Sequence, residues 1–147
     1  MKLTLVAIGK VRGAYGEMAA EYAKRFVGGL TVRELAAPTQ KAEGDAILAA
    51  IPLKATVVLL DERGKDLSSC ELADKMAFWL DQGIGELVFV IGGADGVTDE
   101  VRARADFTLG LGRKTWPHKM VRVMLIEQLY RAQQINAGHP YHRSGRR

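Results

Sequence analysis

At 147 residues, with 48% hydrophobic and 26% charged content, the chain suits one globular domain and excludes a disordered protein. Its apolar stretches fall far short of the roughly 20 residues that cross a bilayer. Its single cysteine, Cys70, rules out an internal disulfide and a cysteine-based zinc site. The net charge of +4 is uneven: residues 113–147 carry eight Lys/Arg against one acid, Glu127, so that segment is +7 and the other 112 residues sum to −3.

The opening run Leu3–Ile8 reads as a buried strand. It lacks a small-residue cleavage site and runs straight into Lys10 and Arg12, so it is not a signal peptide, and the expected location is cytoplasmic. Tyr15, Ala19, Tyr22 and Phe26 recur at helical spacing. Leu30–Leu35 is a weaker strand. An Ala-rich helix over Gly44–Ile51 ends at Pro52, which cannot continue it. Ala55–Leu60 is a β-branched strand stopped by Asp61-Glu62-Arg63-Gly64. Ser68 and Glu71 have capping-box spacing, and Leu72, Met76, Trp79 and Leu80 form the apolar face of the helix that follows, which places Cys70 in a helix as a small buried hydrophobe. Leu87–Ile91 is the fourth strand. Thr98 caps a short helix, and Phe107–Leu111 is the fifth strand. Lys119–Ala137 is the longest helix, terminated by Gly138 and Pro140. Strands alternating with helices predict an α/β fold: a mostly parallel five-stranded sheet with helices on both faces, in a single domain spanning residues 1–147.

In such a sheet, ligands bind beyond the carboxyl ends of strands, which singles out the loops after Leu60, Ile91 and Leu111. The loop Gly92-Gly93-Ala94-Asp95-Gly96 fits neither phosphate-binding glycine pattern. It reads either as a tight turn or as a place where a ligand approaches the backbone. The third loop, Gly112-Arg113-Lys114-Thr115-Trp116-Pro117-His118, spends cations, an aromatic and a Pro-His pair just before the long helix, which points to function. On that helix Glu127 and Arg131 stand four apart and can pair, while Gln133 and Gln134 read as a solvated stripe. Arg122, among Val121, Val123, Met124 and Leu125, either pairs internally with Glu127 or Asp95 or points into a site. The three histidines, His118, His139 and His142, lack helical spacing, so no metal is expected.

These residues together resemble one family. The carriers are Met1-Lys2-Leu3, Leu59-Leu60-Asp61 with Gly64-Lys65, Ile91-Gly92-Gly93-x-x-Gly96, Pro117-His118-x-x-Val121-Arg122, and Glu127-Gln128-Leu129-Tyr130-Arg131-Ala132 ending in His139-Pro140-Tyr141-His142-Arg143. The chain is similar along nearly its whole length to the SPOUT class of methyltransferases, in the branch acting on bacterial large-subunit ribosomal RNA. The resemblance implies a trefoil knot at the carboxyl end, a homodimer, S-adenosylmethionine as methyl donor, and methylation at N3 of pseudouridine 1915 of 23S rRNA in assembled ribosomes. It carries the donor contacts onto Leu60, Gly92, Leu111, Gly112, Arg113, Lys114, Thr115 and Trp116, with Trp116 standing where the family more often has Leu or Phe. It carries catalysis onto the tail, Tyr141, His142 and Arg143. A base would take the N3 proton, from among His142, Tyr141 and His118, with Arg143 or Arg122 stabilising the developing anion. The tail runs on as Ser144-Gly145-Arg146-Arg147. Two other classes compete. A nucleotide hydrolase using the glycine loop lacks the Lys-Ser/Thr and a carboxylate set for metal. A non-enzymatic RNA-binding or ribosome-associated factor would keep the basic end and need no pocket.

Overall fold

The computed structural model describes residues 1–143; Ser144–Arg147, and with them Arg146 and Arg147, lie outside the described residues. Five strands, β1 (Lys2–Ile8), β2 (Thr31–Leu35), β3 (Thr56–Asp66), β4 (Glu86–Ile91) and β5 (Phe107–Gly110), form one sheet in the order β2-β1-β4-β3-β5. Every pairing is parallel. The helices α1 (Gly13–Ala23), α2 (Gln40–Ala50), α3 (Ser69–Asp81), α4 (Asp99–Arg104) and α5 (His118–Asn136) connect or follow them.

The alternation of side chains along each central strand divides the core in two. Leu5, Ala7, Val58, Leu87, Phe89 and Ile91 face one way, against Ala19 of α1, Leu72 and Met76 of α3, and Leu125 and Leu129 of α5. Val6, Ile8, Val57, Leu59, Val88 and Val90 face the other, against Ile47 of α2 and Val101 of α4. Strands buried on both faces must be apolar throughout, which is why β1 and β4 show no polar alternation in sequence. The edge strand β2 is exposed along most of its length, matching its weaker pattern.

Local signals hold where capping chemistry is involved. Ser68 Oγ accepts from the Glu71 N–H at 3.1 Å and Glu71 Oε2 accepts from the Ser68 N–H at 2.7 Å, so the capping box is complete. Cys70 lies in α3. Four expectations are corrected. The second helix begins four residues before Gly44, because Thr39 caps it through the Ala42 N–H. Phe26 is buried but lies beyond α1, in the turn before Gly28 and Gly29. Leu80 is 54% exposed; the apolar face of α3 is the narrower set Leu72, Met76 and Trp79. The solvated stripe on α5 is absent at Gln133 and Gln134. Gln134 is only 8% exposed, and Gln133 bonds both main-chain groups of Val27, accepting from its N–H at 3.1 Å and donating to its carbonyl at 2.8 Å. The excess of apolar residues around α5 is covered within the chain, because α1 and α3 both pack on it.

Beyond Leu60 the third strand does not stop. Its backbone leaves register with β5 and returns, so Leu60 and Lys65 both pair with Leu109. The excursion, residues 61–64, arches over the end of the sheet. At its end Gly64 presses on β5: a Cβ there would stand 2.6 Å from the Leu109 carbonyl carbon.

Candidate functional site

The loops after β3, β4 and β5 converge at the carboxyl edge of the sheet around a cavity of about 830 Å³. That size suits a small ligand (roughly 300–1,000 Å³). The arch contributes Leu60, Asp61, Glu62 and Arg63; the glycine loop contributes Ile91 to Val97; the loop before α5 contributes Leu111, Lys114, Thr115, Trp116 and Pro117. His118 and Val121 of α5 and Arg102 of α4 complete the wall.

Each loop is held by bonds that leave its backbone fixed. Asp61 is the anchor of the arch. Its Oδ1 accepts from the Arg63 N–H at 2.8 Å and its Oδ2 from Arg102 Nη1 at 2.5 Å. Burial of this carboxylate, whose side chain is 10% exposed, acts to raise its pKa, but the hydrogen bonds from the Arg63 backbone and from Arg102 outweigh it and hold Asp61 below its ordinary value. Thr115 Oγ1 donates to Glu62 Oε2, tying the third loop to the first. Trp116 closes its own loop by donating Nε1–H to the Leu111 carbonyl at 3.0 Å. Gly112 turns at φ 84° and donates its N–H to Asp66 Oδ1 at 3.2 Å.

The glycine loop combines both readings that the sequence left open. Gly96 has φ 79° and its N–H bonds the Gly93 carbonyl at 3.0 Å, which is the tight turn. Gly92 is different: its conformation is ordinary, but a Cβ there would sit 2.6 Å from Val97 Cγ1. It is glycine for space at the cavity wall.

Of the residues expected to contact a methyl donor, Leu60, Gly92, Leu111, Lys114, Thr115 and Trp116 line this cavity. Gly112 lines a neighbouring groove with Ser69, Met124 and Gln128; Arg113 lines neither. Asp61, Arg63 and Arg102 were missing from the expected contacts. Asp61 could have been found as the first polar residue after an apolar strand; Arg102, on a six-residue helix, carries no sequence signal.

Arg122 is not in the cavity, and its expected partners Glu127 and Asp95 are corrected. It is 3% exposed, its Nη1 donates to Glu34 Oε2, and its Nη2 donates to the Gly9 carbonyl at 2.8 Å. It ties the start of α5 to the ends of β1 and β2, 88 residues away at Glu34.

The tail is ordered against the other end of α5. Glu127 pairs with Arg131 at 2.6 Å, as the spacing suggests. Glu127 Oε1 also accepts from the Tyr141 hydroxyl at 3.0 Å. Tyr141 stacks edge-on against Tyr130, with ring centroids 4.9 Å apart, and Arg131 lies 4.9 Å over its ring. Burial, followed by hydrogen bonds with Tyr22 and Glu127, pushes the Tyr141 phenol well above its ordinary pKa. His142 Nδ1 meets Arg131 Nη1 at 3.1 Å and its Nε2 lies 3.7 Å from Cys70 Sγ. Arg143 is exposed. Arg131 is 13 residues along α5 from His118, about 20 Å at 1.5 Å per residue. Tyr141 and His142 are therefore far from the cavity of their own chain. Among the described residues, no group of three or more His, Cys, Asp or Glu could hold a metal, and no helix is long and apolar enough to cross a membrane.

The arrangement offers a glycine-edged cavity walled by fixed backbone, and a separate basic tail. A family model described as "Predicted SPOUT methyltransferase" matches residues 1–142. The chain is 48% identical to Ribosomal RNA large subunit methyltransferase H of Rhodospirillum centenum, over 98% of this chain and 100% of the relative. It is 44% identical to the protein of that name from Rhodopseudomonas palustris, again over 98% and 100%, and 44% identical to that from Paramagnetospirillum magneticum, over 97% and 99%.

Proposed function

The chain belongs to the SPOUT methyltransferase family, and from that premise we propose that it methylates ribosomal RNA of the large subunit, at N3 of pseudouridine 1915 in 23S rRNA, with S-adenosylmethionine as donor. The observation that carries the donor assignment is the cavity itself. Six of the eight expected contact residues line it, and Gly92 keeps open a space that a Cβ would crowd. The main-chain groups of residues 111–116 are suited to an adenine edge, and Asp61, Glu62, Arg63 and Lys114 give the wall charges of both signs for an amino-acid moiety. Bound there, the donor supplies a methyl group on a sulfonium cation. The chain's part is to hold the acceptor nitrogen in line and to stabilise the charge that appears as the N3 proton leaves. A substrate in the ribosome places the enzyme in the cytoplasm.

Tyr141, His142 and Arg143 serve the acceptor in this reading, and it requires a homodimer. Within one chain the tail is held about 20 Å along α5 from the cavity, so the tail that meets a given cavity comes from the partner. The basic tail also suits RNA phosphates. The reading includes a trefoil knot, supported by the close packing of the arch on β5: a Cβ on Gly110 would lie 3.0 Å from the Gly64 carbonyl oxygen and 3.3 Å from that of Asp61. Mass spectrometry of 23S rRNA from cells with and without this protein tests the function. N3-methylpseudouridine present only with the protein supports it; an unchanged modification pattern refutes it.

A further inference from the structure

The hub around Glu127 and Arg131 fixes the chemical state of the tail. Arginine has only donors, so the nitrogen of His142 that faces Arg131 Nη1 at 3.1 Å must present its lone pair. In the neutral ring that leaves the proton on Nε2, which points at Cys70 Sγ, 3.7 Å away. Arg131 is itself held from behind. Its Nε and Nη2 both donate to Glu127 Oε1, at 3.0 and 2.6 Å, and Gln128 Nε2 donates to Glu127 Oε2 at 3.0 Å.

We infer that Arg131 is a positioning residue for methyl transfer: it fixes His142 as the Nε2–H tautomer, so His142 meets the acceptor base as a hydrogen-bond donor and does not take the N3 proton. The inference rests on the reading that the tail meets the acceptor. A neutral imidazole whose lone pair is occupied by a guanidinium has no free site for a proton. Its Nε2–H faces sulfur, a weak acceptor, and a uracil carbonyl is a better one. When N3 loses its proton, negative charge spreads onto the two flanking carbonyl oxygens, and a donor aimed at one of them stabilises that charge. Tyr141 is no base either, since its hydroxyl already donates to Glu127 and its phenol is held protonated. The proton leaves instead to water or through His118 at the cavity wall.

The test has two arms. In the full-length protein, nitrogen NMR of His142, above its titration range, reads the tautomer without any RNA. The result expected is a protonated Nε2 and a bare Nδ1, kept in Arg131→Lys and lost to a mixture in Arg131→Met. A protonated Nδ1 in the wild type, or a tautomer unchanged in Arg131→Met, overturns the inference. In the second arm, methyl transfer to ribosomes is compared for His142→Ala and His142→Gln. Glutamine places an N–H close to the position of Nε2 but cannot act as a base. It should fall below wild type yet exceed alanine by about ten-fold or more, with donor affinity the same in both. Glutamine no better than alanine makes His142 the base and overturns the inference. A fully active His142→Ala instead removes the tail from catalysis, a failure of the functional reading, and the NMR arm still decides the tautomer.

Discussion

The cavity and the tail dock differ in what holds them. The cavity is walled by three loops at the carboxyl ends of β3, β4 and β5, and backbone groups and glycines set its shape. The tail is held by side chains of one helix, with Glu127 and Arg131 gripping Tyr141 and His142. A backbone-built site tolerates little change in shape and binds a small ligand in a set pose. A side-chain dock sets protonation and orientation, and can be altered without closing the cavity. The division matches a reaction in which one region holds the methyl donor and the other receives the acceptor.

The largest expected effect falls on what both regions share. Arg122 fastens the start of α5 to Glu34 and to the Gly9 carbonyl, so Arg122→Ala should cost about 3 kcal/mol in denaturant unfolding, the lower end for a broken buried ion pair because Glu34 keeps some contact with water. Both donor binding and tail docking should weaken in that variant. Gly92→Val should strike the cavity alone. Its Cβ meets Val97, and the branched side chain fills the wall, so affinity for S-adenosylmethionine measured by titration calorimetry in chelator should fall about 100-fold or more, roughly 2.7 kcal/mol. Removing residues 139–147 should do the reverse. Donor affinity should stay within a few fold while methyl transfer drops on the order of 10²-fold. A tail-deleted protein with the normal rate would break the comparison and return the chemistry to the cavity wall at His118.

The smallest effect concerns the arch. Asp61 is held below its ordinary value of 3.8, so its contribution to stability is complete above that pH and is lost as pH falls through the lowered folded value. Arg102→Ala removes one of the groups that depress it. Carboxyl NMR titration should show Asp61 moving upward, and acid unfolding should become less dependent on this group. An unchanged Asp61 titration would mean that the Arg63 backbone bond alone sets the arch.

The two regions were unequally legible in the sequence. Leu60, Gly92 and Leu111 announce themselves as the ends of apolar strands, and ligands collect there in parallel sheets. The central strands were clear for the same reason, since burial on both faces leaves no polar alternation to misread. What failed depends on distant partners. Arg122 looked as if it needed Glu127 or Asp95, but its acid is Glu34, on an edge strand 88 residues away. Gln133 looked solvated and instead satisfies the backbone of Val27, 106 residues off. The Glu127–Arg131 pair was readable from its spacing of four, but its grip on Tyr141 and His142 was not, because the tail folds back over the helix only after Gly138 turns at φ 72°. The surplus apolar surface of α5, which suggested a partner, is covered by α1 and α3 in the same chain. The argument for a dimer therefore moves to the separation of cavity and tail.

That separation gives the most direct test. Purified Gly92→Val protein retains its tail and lacks a working cavity; protein lacking residues 139–147 retains the cavity and lacks the tail. Each alone should be inactive on ribosomes. Unfolded together and refolded, they should recover about a quarter of the wild-type rate, since half of randomly formed dimers are mixed and each mixed dimer has one intact pairing of cavity with the partner's tail. A refolded mixture as inactive as its parents, with mixed dimers demonstrated by mass, would contradict the account.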